Sequence, residues 1–581
     1  MTKPTTNYKA PIGEHPILTQ IQHGDLSLEP IENLRSFLCT SRGGDHGRLG
    51  PFSRISSDQI TAMLSNFSTA YNAVSISIVI PILQSPSLYL SSVTPTSESI
   101  CASSLLCGMM LGQLIGGFLG DVIGRWKAMY LVMIIQTLGS IGSALFVWEG
   151  QGLNIFDQLA AWRFVLGIGC GGVYPLAAAL SAEQKLSECD RSRHSETFPT
   201  NSAEDPHLIQ REKLQKLALT FSTQGLGFAM VPIVTYPLLF VLGPNRLDYT
   251  WRIVLVIGAL PGVVLAYLRH RWSHPLNQIV KEDLKIGEKS VLMGSSHTAA
   301  TYGDLSVFTR NAEDHQSFEE EEDIVSIQYE DLESPKQHDN KTTIDIGHNE
   351  QAIFESSLWH SIRSEPDLMM KLSGTAFTWF LFDIVFYGNT LFQPIVLEAA
   401  FGSDEAGDHQ ETFPILLKTC RDSIFLTLIA LPGYFTTIAT IGRPIYGSVR
   451  QTPKYIQSQG FIVMAILYSV IGFNWNRLRD SQLLLVILYG GTFFFANYGP
   501  NTTTFLLPSL SFSAPCRTTL NGISAACGKA GAVVGASLFG PLTRSLGDAS
   551  VMLMCAGISL FAAILTLMAV PSRMSKGAYG H

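Results

Sequence analysis

Three ionisable residues stand deep inside apolar stretches of the sequence: Arg163 in RFVLGIGCGGVYPL, Asp383 in TWFLFDIVFYGNTLF and Lys529 in NGISAACGKAGA. A charge in so apolar a setting must pair, face water or change its protonation state, so each is a functional candidate by default. Trp379, Asp383 and Tyr387 follow at i, i+4 and i+8, which sets an indole N–H, an acid and a phenol on one helix face. An acid snorkelling to a helix end would need no partner, but Asp383 lies near the middle of its stretch. Lys529 has two compatible readings, a structural ion pair with Asp383 and a cation for a bound solute. No metal-ligand cluster, nucleotide-binding glycine loop or nucleophile with its base stands out, so neither an enzyme nor a cofactor is expected.

A second group has the spacing of a latch. The string GQLIGGFLGDVIGRWKAM places Gly112, Gly116 and Gly117 ahead of Asp121, Gly124, Arg125 and Lys127. Small residues at helical spacing let two helices approach closely, and an acid at a helix end followed by a basic turn can pair with neighbouring helices at a membrane face. The plainer reading is a basic turn that follows the inside bias of Lys and Arg. Further on, Gly167, Gly169, Gly171, Gly172 and Pro175 read as packing and bending devices that need no ligand.

The elements that must hold these residues are membrane-spanning helices. The chain has 581 residues, 46% hydrophobic and 15% charged, whereas soluble domains carry about a quarter charged residues. Apolar segments recur near 59–83, 98–120, 127–148, 158–182, 215–242, 250–270, 370–398, 421–441, 459–475, 482–508, 519–543 and 548–570. Each is about long enough to cross a hydrocarbon core of roughly 30 Å. Between the sixth and seventh, residues 273–366 hold 19 Asp and Glu against 7 Lys and Arg, a balance of -12 against -8 for the whole chain, so the acidity belongs to this loop. It has too little apolar surface to offset its ordering entropy and is expected to be disordered, either as a tether or as a docking segment for a cytosolic partner. The predicted fold is an all-α membrane protein of twelve transmembrane helices in two six-helix bundles. Its expected divisions are a tail 1–57, a bundle 58–272, the loop 273–366, a bundle 367–571 and a tail 572–581.

Orientation follows from basic residues in short loops. Loops 84–97 and 149–157 carry none, while the turn with Arg125 and Lys127 and the loop 183–216, with Arg191, Arg193, Arg211 and Lys213 among others, are rich in them. Both termini and the central loop are therefore expected in the cytoplasm, and no leader with a basic and then an apolar region opens the chain. The nine scattered cysteines indicate neither a zinc site nor a disulfide framework. Asn340-Lys341-Thr342 and Asn501-Thr502-Thr503 match the glycosylation pattern by chance, one in the expected cytoplasmic loop and the other inside a span.

Asp121, Gly124, Arg125 and Lys127, together with twelve spans in two halves, resemble the signature of the major facilitator superfamily. Within it, FFFANYGPNTTTFLLPSLSF followed by RTTLNGISAACGKAGA looks like the phosphate:proton symporter family. TWFLFDIVFYGNTLF, STQGLGFAM, GIGCGGVYPL and WRIVLVIGALPG extend the likeness, and only the tail and the central loop lie clearly outside it. The resemblance implies a phosphate site of Tyr174, Gln224, Trp379, Asp383, Tyr387, Asn501 and Lys529. Hydroxyl, amide and indole donors with one cation suit an oxyanion, and an ionised Asp383 could accept the P–OH of a protonated phosphate.

The departures from that family concern coupling. Where it commonly carries D-A-Y-D in the first span, this chain reads TAYN, with Thr69 and Asn72 at the acid positions; Val173 replaces an acid in the fourth span, and PSLSFS lacks one after the tenth. A carboxylate can cycle between charged and neutral forms, and these residues cannot. Three readings stay open: a proton entering through Asp383 with the substrate, a cation such as sodium held by polar oxygens including Thr69 and Asn72, or uncoupled movement. Lost acids also ease entry of an anion near Arg163 and Lys529. The expected function is transport of inorganic phosphate or a related oxyanion across a lipid bilayer, with Asp121, Arg125, Lys127, Arg163 and Asp383 in coupling or gating. The family places it in the plasma membrane, with no nucleic-acid partner. The rivals are transport of another small anion and a non-transporting nutrient sensor.

Overall fold

The computed structural model describes residues 56–85, 95–148, 154–183, 206–265, 267, 357–401, 412–446 and 449–570. Within them run twelve helices long and apolar enough to cross a membrane. The first six are α1 (Ser57–Leu83), α2 (Pro95–Val122), α3 (Arg125–Leu145), α4 (Ile155–Ala182), α5 (Pro206–Leu242) and α6 (Leu247–Ile257, within the span Pro244–Leu265). Of the second six, α7 joins Leu368–Leu372, a π-turn Ser373–Phe377 and Thr378–Phe401, and α8 joins Thr412–Ala430 to Pro432–Thr440. After α9 (Pro453–Phe473), α10 joins Gln482–Ala496 to Thr502–Ser511 across a kink in Asn497–Asn501; α11 is Arg517–Leu546 and α12 is Asp548–Ala569. The fold is the expected one, twelve transmembrane helices in two six-helix bundles. α5 begins at Pro206, well before the apolar onset near 215, because Gln, Glu and Lys are good helix formers whatever their hydropathy.

Bare backbone sets the closest packing. A Cβ added at Gly108, Gly112 or Gly116 of α2 would lie 2.2 Å from Phe164 O, 2.1 Å from Ile168 O and 2.5 Å from Gly172 Cα of α4. One added at Gly171 would meet Met109 O at 2.1 Å. These contacts give the fourth-span glycines the packing role expected of them. The second half repeats the device, with Gly531 and Gly535 of α11 against Phe380 O and Ile384 O of α7 at 2.1 and 2.3 Å.

Two features depart from the sequence reading. A short antiparallel ribbon, β1 (Pro444–Tyr446) with β2 (Val449–Arg450), joins α8 to α9. The end of the acidic loop, predicted without order as part of 273–366, is folded: residues 357–363 are helical and Glu365 is buried. Leu358 and Ile362 supply the apolar surface the acidic part lacks, packing with Phe512, Cys516 and Leu520. Glu365 pairs with Lys371 at 2.5 Å and accepts hydrogen bonds from Ser513 N and Oγ at 3.2 and 2.6 Å. The remainder of the loop, residues 1–55 of the first tail, the tail 572–581 and the Asn340 site lie outside the described residues.

Candidate solute-binding site between the two halves

The glycine contacts that draw α11 onto α7 bring Lys529 against Asp383. Lys529 and Asp383 are 3% and 2% exposed. The Lys529 ammonium donates to Asp383 Oδ2 at 2.8 Å and to the Tyr387 hydroxyl at 3.1 Å. Trp379 lies against Gly528, where an added Cβ would fall 2.5 Å from its Cδ1, and its side chain reaches the Asp383 carboxylate. From the other half, Tyr174 of α4 donates to Gln224 Oε1 of α5 at 2.9 Å. The ammonium stands 5.6 Å from the Tyr174 ring centroid and 4.5 Å from that of Tyr387. Asn501 of α10 donates to the Tyr434 hydroxyl and to Asn497 Oδ1, both at 2.8 Å.

All seven residues of the expected site are thus brought together. Tyr434 of α8 joins them, since its hydroxyl meets both Asn501 and the Gln224 side chain. Sequence reasoning missed Tyr434 and Asn497, which carry no charge to mark them. A tyrosine in a membrane helix ordinarily reads as an interfacial anchor.

The kink in α10 falls just ahead of Asn501. Gly499 within it is non-helical, at φ -101° and ψ -110°, and an added Cβ there would lie 2.5 Å from Gly460 Cα of α9. Below the site, the Phe221 and Phe505 rings pack at 4.7 Å, tilted by 34°, with Tyr434 6.1 Å from Phe221 and Tyr174 6.3 Å from Phe505. These four rings, from α4, α5, α8 and α10, form a floor. On the other side lies a cavity of about 380 Å³ between the halves, lined by Val74, Phe228, Tyr387, Asp422, Tyr434 and Asn497 among others.

Beyond the floor the halves are latched. Asp121 accepts from the backbone N–H groups of Thr518 and Thr519 at 3.3 and 2.7 Å and from the Thr519 hydroxyl at 2.7 Å, capping the N-terminus of α11. Glu183, at the end of α4, pairs with Arg125 at 2.9 Å and with Arg517 at 3.0 Å. Arg125 also donates to Ala514 O at 2.7 Å. Lys127, expected in the latch, is instead exposed and forms no ion pair among the described residues, because its side chain faces away at the start of α3.

Arg163 also departs from expectation. It neither lines the cavity nor pairs with an acid among the described residues; it is wholly buried, donating to Asn72 O at 2.8 Å and Ser75 Oγ at 3.1 Å. Asn72 is itself bound to Ser68 O, Gly258 O and the Ser140 hydroxyl, and Thr69 to Gln136. The neutral residues at the acid positions are therefore knitted into a polar core, and Val173 is buried beside Tyr174.

The sequence profile described as sugar (and other) transporter matches residues 58–184 and 417–577. Inorganic phosphate transporter 1-1 of Arabidopsis thaliana is 29% identical over 505 residues, 82% of each chain. Probable inorganic phosphate transporter 1-6 of the same plant is 30% identical across 79% of each chain. Probable inorganic phosphate transporter 1-12 of Oryza sativa subsp. japonica is 30% identical across 89% of each. Among solved structures, the proton:xylose symporter XylE shares the fold with a TM-score of 0.57 at 15% identity, over 89% of this chain and 95% of that one. A human organic anion transporter does so at 0.51 and 12% identity, over 88% and 100%.

Proposed function

The chain belongs to the sugar (and other) transporter family of the major facilitator superfamily, and on that premise we propose that it moves inorganic phosphate across a membrane by alternating access. One observation carries the reading: the buried Lys529 ammonium bonds Asp383 and Tyr387 and stands 5.6 Å from the Tyr174 ring, from which a chain of hydrogen bonds runs through Gln224 and Tyr434 to Asn501. A tetrahedral oxyanion needs one positive charge and several N–H and O–H donors, and this set offers them. The relatives named as inorganic phosphate transporters support phosphate as the anion.

Asp383 holds the coupling role in this proposal. Ionised, it neutralises Lys529 and leaves no net charge for an anion; protonated, it frees the ammonium and presents a donor of its own. A proton then enters with phosphate on Asp383, on the substrate or on both. Thr69, Asn72 and Val173 supply no such proton. The cavity lies on one side of the site and the latch of Asp121, Arg125 and Glu183 on the other, an arrangement that suits halves rocking about a midplane site. The latch face, rich in Lys and Arg, is the cytoplasmic one in this reading, which puts both termini and the acidic loop inside; the plasma membrane is what the family resemblance implies.

Uptake of radiolabelled phosphate into proteoliposomes of the purified protein, with the two pH values set independently and with or without a sodium gradient, is the test. Saturable uptake driven by an inward proton gradient is expected. Sodium-driven uptake would transfer coupling to the oxygens of Thr69 and Asn72. No uptake by folded protein under any condition would overturn the phosphate reading.

A further inference from the structure

The α8–α9 turn repeats the α2–α3 turn without its acid. Each carries Gly-Arg with the glycine in the left-handed region, Gly124 at φ 90° before Arg125 and Gly442 at φ 73° before Arg443. Three residues ahead of the glycine stands Asp121 in the first turn and Ala439 in the second. Around the first, Asp121 and Glu183 neutralise Arg125 and Arg517. Around the second stand three arginines. Gly442 packs on Arg211 of α5, an added Cβ lying 2.8 Å from its Cγ, and the ribbon holds Arg443 across from Gln451, whose N–H donates to Arg443 O at 2.8 Å beside Arg450.

Arg443 and Arg450 both repel Arg211, and none of the three forms an ion pair among the described residues. The nearby acid Glu212 is paired with Lys216 at 2.8 Å, and Arg211 Nε has no protein hydrogen-bond partner. Closing this face brings Arg211 of one half against Arg443 and Arg450 of the other, which is unfavourable unless an anion sits among them. The ribbon also exposes Ile445 and Val449, 55% and 46%, in the short turn between the span ending at Thr440 and the one starting at Pro453. Arginines flanked by exposed apolar side chains at a span end meet both parts of a lipid, its phosphate and its upper acyl chain.

We propose that Arg211, Arg443 and Arg450 bind the phosphate of an anionic lipid headgroup, which bridges α5 and the α8–α9 turn and holds this face shut. The site rests on the latch-face geometry and not on the transported solute, so it stands or falls apart from the phosphate-transport reading. The test is native mass spectrometry of the full chain released from phosphatidylcholine vesicles containing phosphatidic acid. Wild type and Lys127→Gln are expected to retain phosphatidic acid. Arg211→Gln, Arg443→Gln and Arg450→Gln are each expected to weaken retention about fivefold, the equivalent of about 1 kcal/mol per basic residue, and the triple variant to lose it. Equal retention by the folded single variants would overturn the proposal. So would displacement of the lipid by inorganic phosphate, which would assign the arginines to a soluble ion. Retention seen only after Glu319 to Asp323 are changed to Gln would assign them to the chain's own acidic run and overturn it as well.

Discussion

Among single residues, the buried pair of Lys529 and Asp383 sets what the site can hold. Lys529→Ala strands Asp383 without its partner, a change that costs about 3–5 kcal/mol when an ion pair is buried. Loss of phosphate binding in a calorimetric titration, from protein that still inserts, is the expected outcome; unchanged uptake would remove Lys529 from the site. Asp383→Asn keeps the shape and abolishes this side chain's titration, so transport by this variant is expected to depend less on external pH than wild type, which gains rate as that pH falls. Asp383 and Lys529 were legible in the sequence because a charge in an apolar run has few innocent explanations. Tyr434 was not, since its hydroxyl acquires meaning only when α5 and α10 bring Gln224 and Asn501 to it. Arg163 was legible as unusual but not in its role, because backbone and hydroxyl oxygens of α1 leave no mark in a hydropathy pattern.

Helices and turns were legible where packing is written in small residues. The glycines of α2 and α4 announced a close crossing, and the crossing is backbone to backbone. Gly171→Val should therefore force α2 and α4 apart and destabilise the protein by about 1–3 kcal/mol or more, seen as a lower melting temperature in detergent. An unchanged melting temperature would contradict the packing. The folded end of the acidic loop was hidden because charge dominates its composition, although Leu358 and Ile362 anchor it. Burial disfavours the Glu365 carboxylate, but hydrogen bonds from Lys371 and Ser513 outweigh burial and hold it below the ordinary glutamate range. A carboxylate whose pKa falls on folding contributes its stability above the unfolded value of about 4.3 and loses it as pH drops through the folded value. Glu365→Gln should accordingly lower the melting temperature at neutral pH, by the equivalent of about 1–2 kcal/mol, with the gap to wild type closing in acid. A gap independent of pH would mean that shape and not charge secures the contact.

At the scale of the whole molecule, the number and order of spans followed from hydropathy alone, because a bilayer demands about twenty apolar residues per crossing. How the halves close did not, since Asp121 finds its partners nearly four hundred positions away on α11. Where α2 meets α11, the buried side chains of Gln113 and Asn521 have no protein hydrogen-bond partner, a cost of about 1–3 kcal/mol for each such group. The closed latch is thus opposed at its own interface. Asn521→Leu should tip the balance toward closure, read as slower labelling of a cysteine placed on the latch side of the floor; faster labelling would refute this.

The π-turn in α7 bears on how the chain can be compared with its relatives. It holds one residue more than the α-helical turn it replaces, just ahead of Trp379. Removing one residue from it would turn everything beyond it by about 100°. A sequence alignment that closes such a one-residue gap in the wrong place would therefore pair site positions of this chain with lipid-facing positions of another, while leaving the overall identity almost unchanged.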